Sequence, residues 1–153
     1  LDIGAGTGTI PIEVGLLCPK GQIIAVERDE EVANLIHKNC DCFGIENVQV
    51  VKGIAPDCLS ELKQIYDRVC IEGGQPIQKI LQAVWDHLPE SGRIVATAIN
   101  LETLYSISQS LSQLQARNVE VVQSAVNRLE NRGFSQTLTA VDPMFILSGE
   151  KLN

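Results

Sequence analysis

Residues 2–13 read Asp-Ile-Gly-Ala-Gly-Thr-Gly-Thr-Ile-Pro-Ile-Glu, with glycines at 4, 6 and 8 directly after an apolar strand end. Glycine on alternate positions lets the backbone turn sharply and lets another group approach it closely. A helix starting just behind such a loop favours an anionic or electron-rich ligand at its N-terminus. Strand, glycine turn and helix in that order form the opening unit of a βα sheet, and the rest of the chain has to be compatible with it.

It is compatible. The runs at 22–27, 47–52, 66–72 and 93–99 are short, apolar and rich in Val and Ile, as expected of strands covered on both faces. Helical patterns lie between them. Over 29–44, Val32, Leu35, Ile36, Cys40 and Phe43 fall on one face; Asp29, Glu30 and Glu31 precede it and Gly44 ends it. Over 76–88, Pro76 opens a stripe of Ile77, Ile80, Leu81, Val84 and Leu88. Over 101–117, Leu104, Ile107, Leu111 and Leu114 recur at helical spacing behind Asn100, a suitable N-cap. After Arg117 the alternation stops, and 119–129, 135–142 and 144–151 read as three successive strands linked near 131–133. The expected fold is α/β: a Rossmann-like, doubly wound, mostly parallel sheet with antiparallel C-terminal strands at its edge. Residues 1–153 form one domain, and because Leu1-Asp2-Ile3 reads as the end of a strand, an N-terminally truncated fragment is expected.

Composition removes several classes. The net charge of -7 argues against a nucleic-acid partner, which needs clustered Lys and Arg. No apolar stretch is long enough for a membrane span, and no signal peptide is visible. Five cysteines at irregular spacing predict neither a disulfide framework nor a metal knuckle, but buried reduced thiols in a cytoplasmic protein with no metal site.

The loop spacing narrows the ligand. The glycines run G-x-G-x-G, with Thr9 beyond them, whereas a dinucleotide fingerprint is G-x-G-x-x-G. No Lys-Ser/Thr pair follows, which disfavours a P-loop. Asp2 would repel a pyrophosphate but suits the ammonium of an amino-acid moiety. The pattern resembles the first motif of class I S-adenosyl-L-methionine-dependent methyltransferases. Glu27 ends the second strand about twenty residues on, where a carboxylate accepts hydrogen bonds from ribose hydroxyls. In the turn after the third strand, Gly53 and Ala55 are small enough to admit an adenine. Gly73 and Gly74 follow the fourth strand and leave an open floor for a broad, flat substrate; the Asn/Asp-Pro-Pro-aromatic sequence that grips an exocyclic amine is absent. Glu72 beside them reads as a loop carboxylate.

The runs at 2–13, 53–59, 71–88 and 93–104, with Asn127-Arg128-Leu129-Glu130-Asn131-Arg132-Gly133, carry a closer resemblance that covers nearly the whole chain. The chain resembles the precorrin (or cobalt-precorrin) C15-methyltransferases of corrin-ring biosynthesis, which also decarboxylate an acetate side chain. The resemblance implies that Gly4, Ala5, Gly6, Thr7 and Gly8 wrap the methionine part of S-adenosyl-L-methionine, that Glu27 holds the ribose, and that Ala55 lies against the adenine. Relatives often have Asp where Ile54 stands, so a side-chain contact there is not expected. The implied substrate is a precorrin, precorrin-6B or its cobalt form, in cobalamin biosynthesis. Relatives are stand-alone or fused to a C5-methyltransferase, and a homotetramer joined through 119–147 is expected. Arg128 and Arg132 are the candidates for the substrate carboxylates. No catalytic residue is assigned, since His37 and His87 fall in predicted helices. A protein or RNA methyltransferase, an NAD-dependent oxidoreductase and a non-enzymatic scaffold remain as alternatives; the first lacks a need for the later motifs, and the second is disfavoured by the glycine spacing and by Asp2.

Overall fold

The Ile/Val runs pair side by side because a crossover returns the chain to the same end of the sheet after each, by an α-helix in every case but the run at 47–52, which is followed by a short 3-10 turn over Asp57–Glu61. The computed structural model describes residues 1–62 and 65–152. The elements are β1 (Asp2–Ile3), α1 (Thr9–Leu17), β2 (Ile23–Glu27), α2 (Glu30–Phe43), β3 (Val48–Lys52), β4 (Arg68–Ile71), α3 (Ile77–His87), β5 (Arg93–Ala98), α4 (Leu101–Gln113), β6 (Arg117–Ser124), β7 (Asn127–Arg132), β8 (Ser135–Ala140) and β9 (Met144–Glu150). The main sheet runs β3-β2-β1-β4-β5-β9-β6, and β7 and β8 pair separately as a hairpin. Strands β1 to β5 are parallel, and β9 is antiparallel to both β5 and β6.

The late strands make the expected antiparallel edge, with β9 inserted between β5 and β6 and β6 outermost. They differ from expectation in one way: the run 119–129 is two strands, because the β6–β9 ladder ends where Ser124 pairs with Met144. Pro143 stands just before Met144, lacks an N–H, and cannot extend that ladder. The chain leaves the sheet there and builds its own hairpin.

Alternation along the strands divides the core. On one face Ile3, Ile24, Val26, Val69, Ile71 and Ile94 pack under α3 and α4, against Ile80, Leu81, Val84, Ile107 and Leu111. On the other, Ala5, Ile12, Ala25, Ile36, Cys40 and Ile45 form a smaller cluster under α1 and α2. The stripe predicted for α3 is buried throughout, whereas Leu35 and Phe43 of α2 are exposed. Ala33, not Leu35, completes the buried face of α2. The thiols divide as well: Cys40 is buried, Cys58 and Cys70 are half-buried, and Cys18 and Cys42 are exposed. Cys42 lies two residues past Cys40 and so turns off the buried face of the helix.

The helix ends follow local chemistry. Asp29 accepts hydrogen bonds from the amides of Glu31 and Val32 at 2.9 and 3.1 Å, and Asn100 accepts one from Thr103 at 2.8 Å. The end of α1 is held from a distance. Asn47 Nδ2 donates to the carbonyls of Cys18 and Gly21, each at 3.0 Å, with that of Gly15 at 3.4 Å. Replacing Asn47 with Ala removes this donor from the part-buried carbonyls of Gly15 and Gly21, while that of Cys18 keeps the Gly21 amide. The expected cost is about 1–2 kcal/mol, a fall in Tm of roughly 2–6 °C by calorimetry.

Candidate active site

The glycine loop is set by its backbone bonds. The amides of Gly4 and Ala5 both donate to the carbonyl of Val26, at 3.0 and 3.1 Å, and Gly8 N donates to the carbonyl of Ala5 at 2.9 Å. Asn39 on α2 donates from Nδ2 to the carbonyl of Thr7 at 2.9 Å. Gly4 is needed twice over: its φ is +79°, and a Cβ there would stand 2.8 Å from the backbone nitrogen of Gly73. Gly6 has φ +54°, and a Cβ on it would meet nothing within 4 Å. The loop is therefore packed tightly at its base and open at its crest.

Glu27 ties this loop to β2. Its Oε2 accepts from Gly6 N at 3.0 Å, and its Oε1 accepts from Arg28 N and Asp29 N at 2.8 and 3.0 Å. The residue is 9% exposed. Each carboxylate oxygen offers two lone-pair positions, so Oε2 keeps capacity for a further donor. A cavity of about 420 Å³ opens beside it, lined by Gly4, Glu27, Gly53, Ile54, Ala55 and Gly73 among others. The sequence-predicted Gly4, Glu27, Ala55, Gly73 and Gly74 thus meet in one place. A Cβ on Gly73 would meet nothing within 4 Å, but one on Gly74 would lie 2.6 Å from Ile80 Cδ1. Gly74 therefore serves packing on α3.

A second, more apolar hollow of about 540 Å³ lies between α1 and the β4–β5 part of the sheet, lined by Leu1, Ile10, Val14, Tyr66 and Val95. Asp2 and Cys70 also line it. Asp2 is 3% exposed, and its two carboxylate oxygens have no hydrogen-bond partner among the described residues. The Cys70 thiol, a weak donor, faces them, and Glu72 completes a group whose reactive atoms lie within 4.8 Å of one another. Burial first, and then the Glu72 charge, pushes the Asp2 carboxyl up to about 7. Burial, reinforced by both carboxylates, pushes the Cys70 thiol up to about 12, and burial also raises Glu72. The partnership of Asp2 with Cys70 and Glu72 was not legible in the sequence, because it depends on the pairing of β1 with β4 that sets Asp2 beside Cys70.

The arginines lie elsewhere. Arg128 and Arg132 are on the exposed hairpin and do not line either hollow. Arg132 reaches Glu130 at 3.4 Å, while Arg128 has no ion pair among the described residues. His37 is exposed on α2; His87 is exposed at the end of α3, where Nδ1 lies 2.9 Å from the carbonyl of Ala83.

A parallel sheet with a cleft at the carboxyl ends of adjacent strands, a G-x-G-x-G turn and an acidic residue ending β2 define a domain of the class I methyltransferase fold. The chain belongs to the precorrin methyltransferase family: the family model described as "Precorrin methyltransferase domain" matches residues 1–151. The chain is 34% identical over 154 aligned residues to the probable cobalt-precorrin-6B C(15)-methyltransferase (decarboxylating) of Saccharolobus solfataricus, covering 99% of this chain and 77% of that protein. It is similar to the crystal structure of precorrin-6y C5,15-methyltransferase from Geobacter metallireducens, with TM-score 0.88 and 32% identity, over 98% of this chain and 78% of that one. The precorrin 8w decarboxylase from Methanobacterium thermoautotrophicum superposes with TM-score 0.83 at 26% identity, over 97% and 78% of the two chains.

The Asp2 carboxyl has a direct consequence for stability. Its folded-state value near 7 stands above the ordinary 3.8, so between those pH values the folded chain keeps a proton that the unfolded chain has lost. Stability from this group therefore falls as pH rises through that window and stays low above it. The upper bound is about 4 kcal/mol. The Asp2→Asn variant is expected to raise the Tm of the ligand-free chain by about 5 °C or more at pH 8 and to change it little near pH 4. Thermal melts across that range check it.

Proposed function

We propose that this chain uses S-adenosyl-L-methionine to methylate C15 of precorrin-6B or cobalt-precorrin-6B and decarboxylates an acetate side chain of the same macrocycle, a step in cobalamin biosynthesis. The observation that carries this is the match of residues 1–151 to the precorrin methyltransferase family, on a chain whose glycine loop and Glu27 are intact and bonded to each other. The residues present fit the cofactor. The crest at Gly6 and the floor at Gly73 are open where a ligand backbone would pass, and the buried Asp2 carboxylate lacks a partner.

In this reading Gly4, Ala5, Gly6, Thr7 and Gly8 hold the methionine part, with Asp2 facing its ammonium group. Glu27 accepts from the ribose, and Ala55 lies against the adenine. The bound cofactor supplies a methyl group already activated on a sulfonium. The chain's contribution is placement: it holds the acceptor carbon in line and keeps water out of the cleft. An electron-rich ring carbon needs no strong general base, in keeping with two histidines that both lie outside the cleft. The conjugated macrocycle can take up the electron pair released by decarboxylation. Gly73 leaves room for its flat face, with Gly74 behind, and Arg128 and Arg132 hold its carboxylates, from the same chain or a neighbouring copy. The protein acts in the cytoplasm, as a homotetramer joined through 119–147, alone or with a fused or associated C5-methyltransferase. No helix among the described residues is long and apolar enough to cross a membrane.

Mass spectrometry of the macrocycle after incubation with precorrin-6B and S-adenosylmethionine tests the assignment. Gain of one methyl with loss of carbon dioxide is expected; an unchanged mass with the cofactor bound would redirect the search to cobalt-containing, protein or RNA substrates. The Arg128→Ala variant is expected to raise the KM for the macrocycle about tenfold while leaving cofactor affinity unchanged, as for loss of one charge-assisted contact. Unchanged kinetics would remove Arg128 from the site.

A further inference from the structure

The Thr7 carbonyl lies at the crest of the glycine loop, one residue before Gly8 caps α1. If the helix began one residue earlier, that carbonyl would accept from the amide of residue 11. Residue 11 is Pro11, which has no N–H. The first bond of α1 is therefore made one residue later, from Ile12 N to the carbonyl of Gly8 at 3.0 Å. Pro11 thus keeps α1 from growing back over the loop and leaves the Thr7 carbonyl without a donor from its own helix. Asn39 supplies the donor from α2, with Nδ2 at 2.9 Å.

This bond completes a pattern in the loop. The Ala5–Gly6 peptide is held at both ends: its carbonyl accepts from Gly8 N at 2.9 Å, and its N–H donates to Glu27 Oε2 at 3.0 Å. The Thr7–Gly8 peptide is held at both ends as well, its carbonyl by Asn39 and its N–H by the Ala5 carbonyl. The Gly6–Thr7 peptide is suspended between them. Its N–H, that of Thr7, has no acceptor among the described residues, whereas the amides of Gly4, Ala5, Gly6 and Gly8 are all committed. The loop therefore leaves the Thr7 N–H open to a ligand, and its direction is fixed by the two peptides on either side. Contact with α2 adds to this: a Cβ on Gly8 would stand 2.9 Å from Ile36 Cγ2, and Ile36 and Asn39, three apart, share one face of that helix.

We propose that Asn39 is a positioning residue for the cofactor: through its bond to the Thr7 carbonyl it holds the crest of the loop in the form that receives the methionine part. This rests on the cofactor assignment proposed above and adds to it a side chain that lies outside the cleft, on the far side of the loop. Without the bond the Thr7–Gly8 peptide is held at one end only, and a ligand has to order it on binding. The role requires a donor. Aspartate has the shape of asparagine but, when ionised, only accepts, so at this position it sets acceptor against acceptor.

Isothermal titration calorimetry of the full chain with two ligands reads the effect. S-adenosylhomocysteine carries the amino-acid end that the loop would hold. 5′-Methylthioadenosine lacks that end and keeps the adenosine assigned to Glu27 and Ala55. The Asn39→Ala variant is expected to raise the Kd for S-adenosylhomocysteine about five- to tenfold, as for loss of one hydrogen bond, and Asn39→Asp is expected to raise it further. Both variants are expected to bind 5′-methylthioadenosine as the unaltered chain does, which also reports that they are folded. Unchanged affinity of Asn39→Asp for S-adenosylhomocysteine, or an equal loss for the two ligands, overturns the positioning role and leaves the cofactor assignment standing. Absence of binding of either ligand by the unaltered chain overturns both.

Discussion

The bond from Gly6 N to the Glu27 carboxylate is the contact on which the cleft depends. One side chain at the end of β2 accepts three backbone amides, two from the turn into α2 and one from the crest of the glycine loop. Charge-assisted bonds of this kind are about twice as strong as neutral ones. They hold the loop at a fixed height above the strand ends, and the paired bonds of Gly4 and Ala5 to Val26 hold its base. A ligand entering the cleft therefore meets a backbone already in place, which reduces the ordering that binding would otherwise require.

The two faces of the sheet are covered unequally. Under α3 and α4 the core is continuous from β1 to β9, with Ile80, Leu81, Val84 and Ile107 fully buried. On the other face α1 and α2 cover β1 to β3, and a hollow is left against β4 and β5. Asp2 lines that hollow, buried and without a hydrogen-bond partner among the described residues, and the well-packed face supplies the stability that offsets it.

Insertion of β9 between β5 and β6 sets the direction of the late strands. The ladder with β5 runs from Arg93–Glu150 to Ala98–Phe145, and Arg93 fastens it with a 2.8 Å ion pair to Glu150 and a bond to Ser148. Because β9 begins at Met144, the hairpin β7–β8 is released from the sheet at the end where the cleft opens. It carries Leu129, Phe134 and Leu138 exposed, an apolar surface typical of one that meets another molecule.

The order of strands and helices through α4, the helix caps at Asp29 and Asn100, the left-handed end at Gly44, and the small and acidic residues Gly4, Glu27, Ala55 and Gly73 that line the cleft were legible in the sequence, whereas Ile3, Val26, Arg28 and Gln75 of the same lining were not. Each legible feature depends on local chemistry: side-chain period, capping oxygens, and the positions where only glycine fits. The tertiary structure alone decided the rest. Whether 119–129 was one strand or two turned on which strand would receive β6 and where that partner ended at Pro143. Whether Leu35 or Ala33 faced the core turned on how α2 sits on β2. The strand pairing that sets Asp2 against Cys70 and near Glu72 joins residues about seventy positions apart, so no local pattern encodes it. Burial then sets the chemistry of those carboxylates, and burial is a property of the whole packed chain rather than of any one stretch of it.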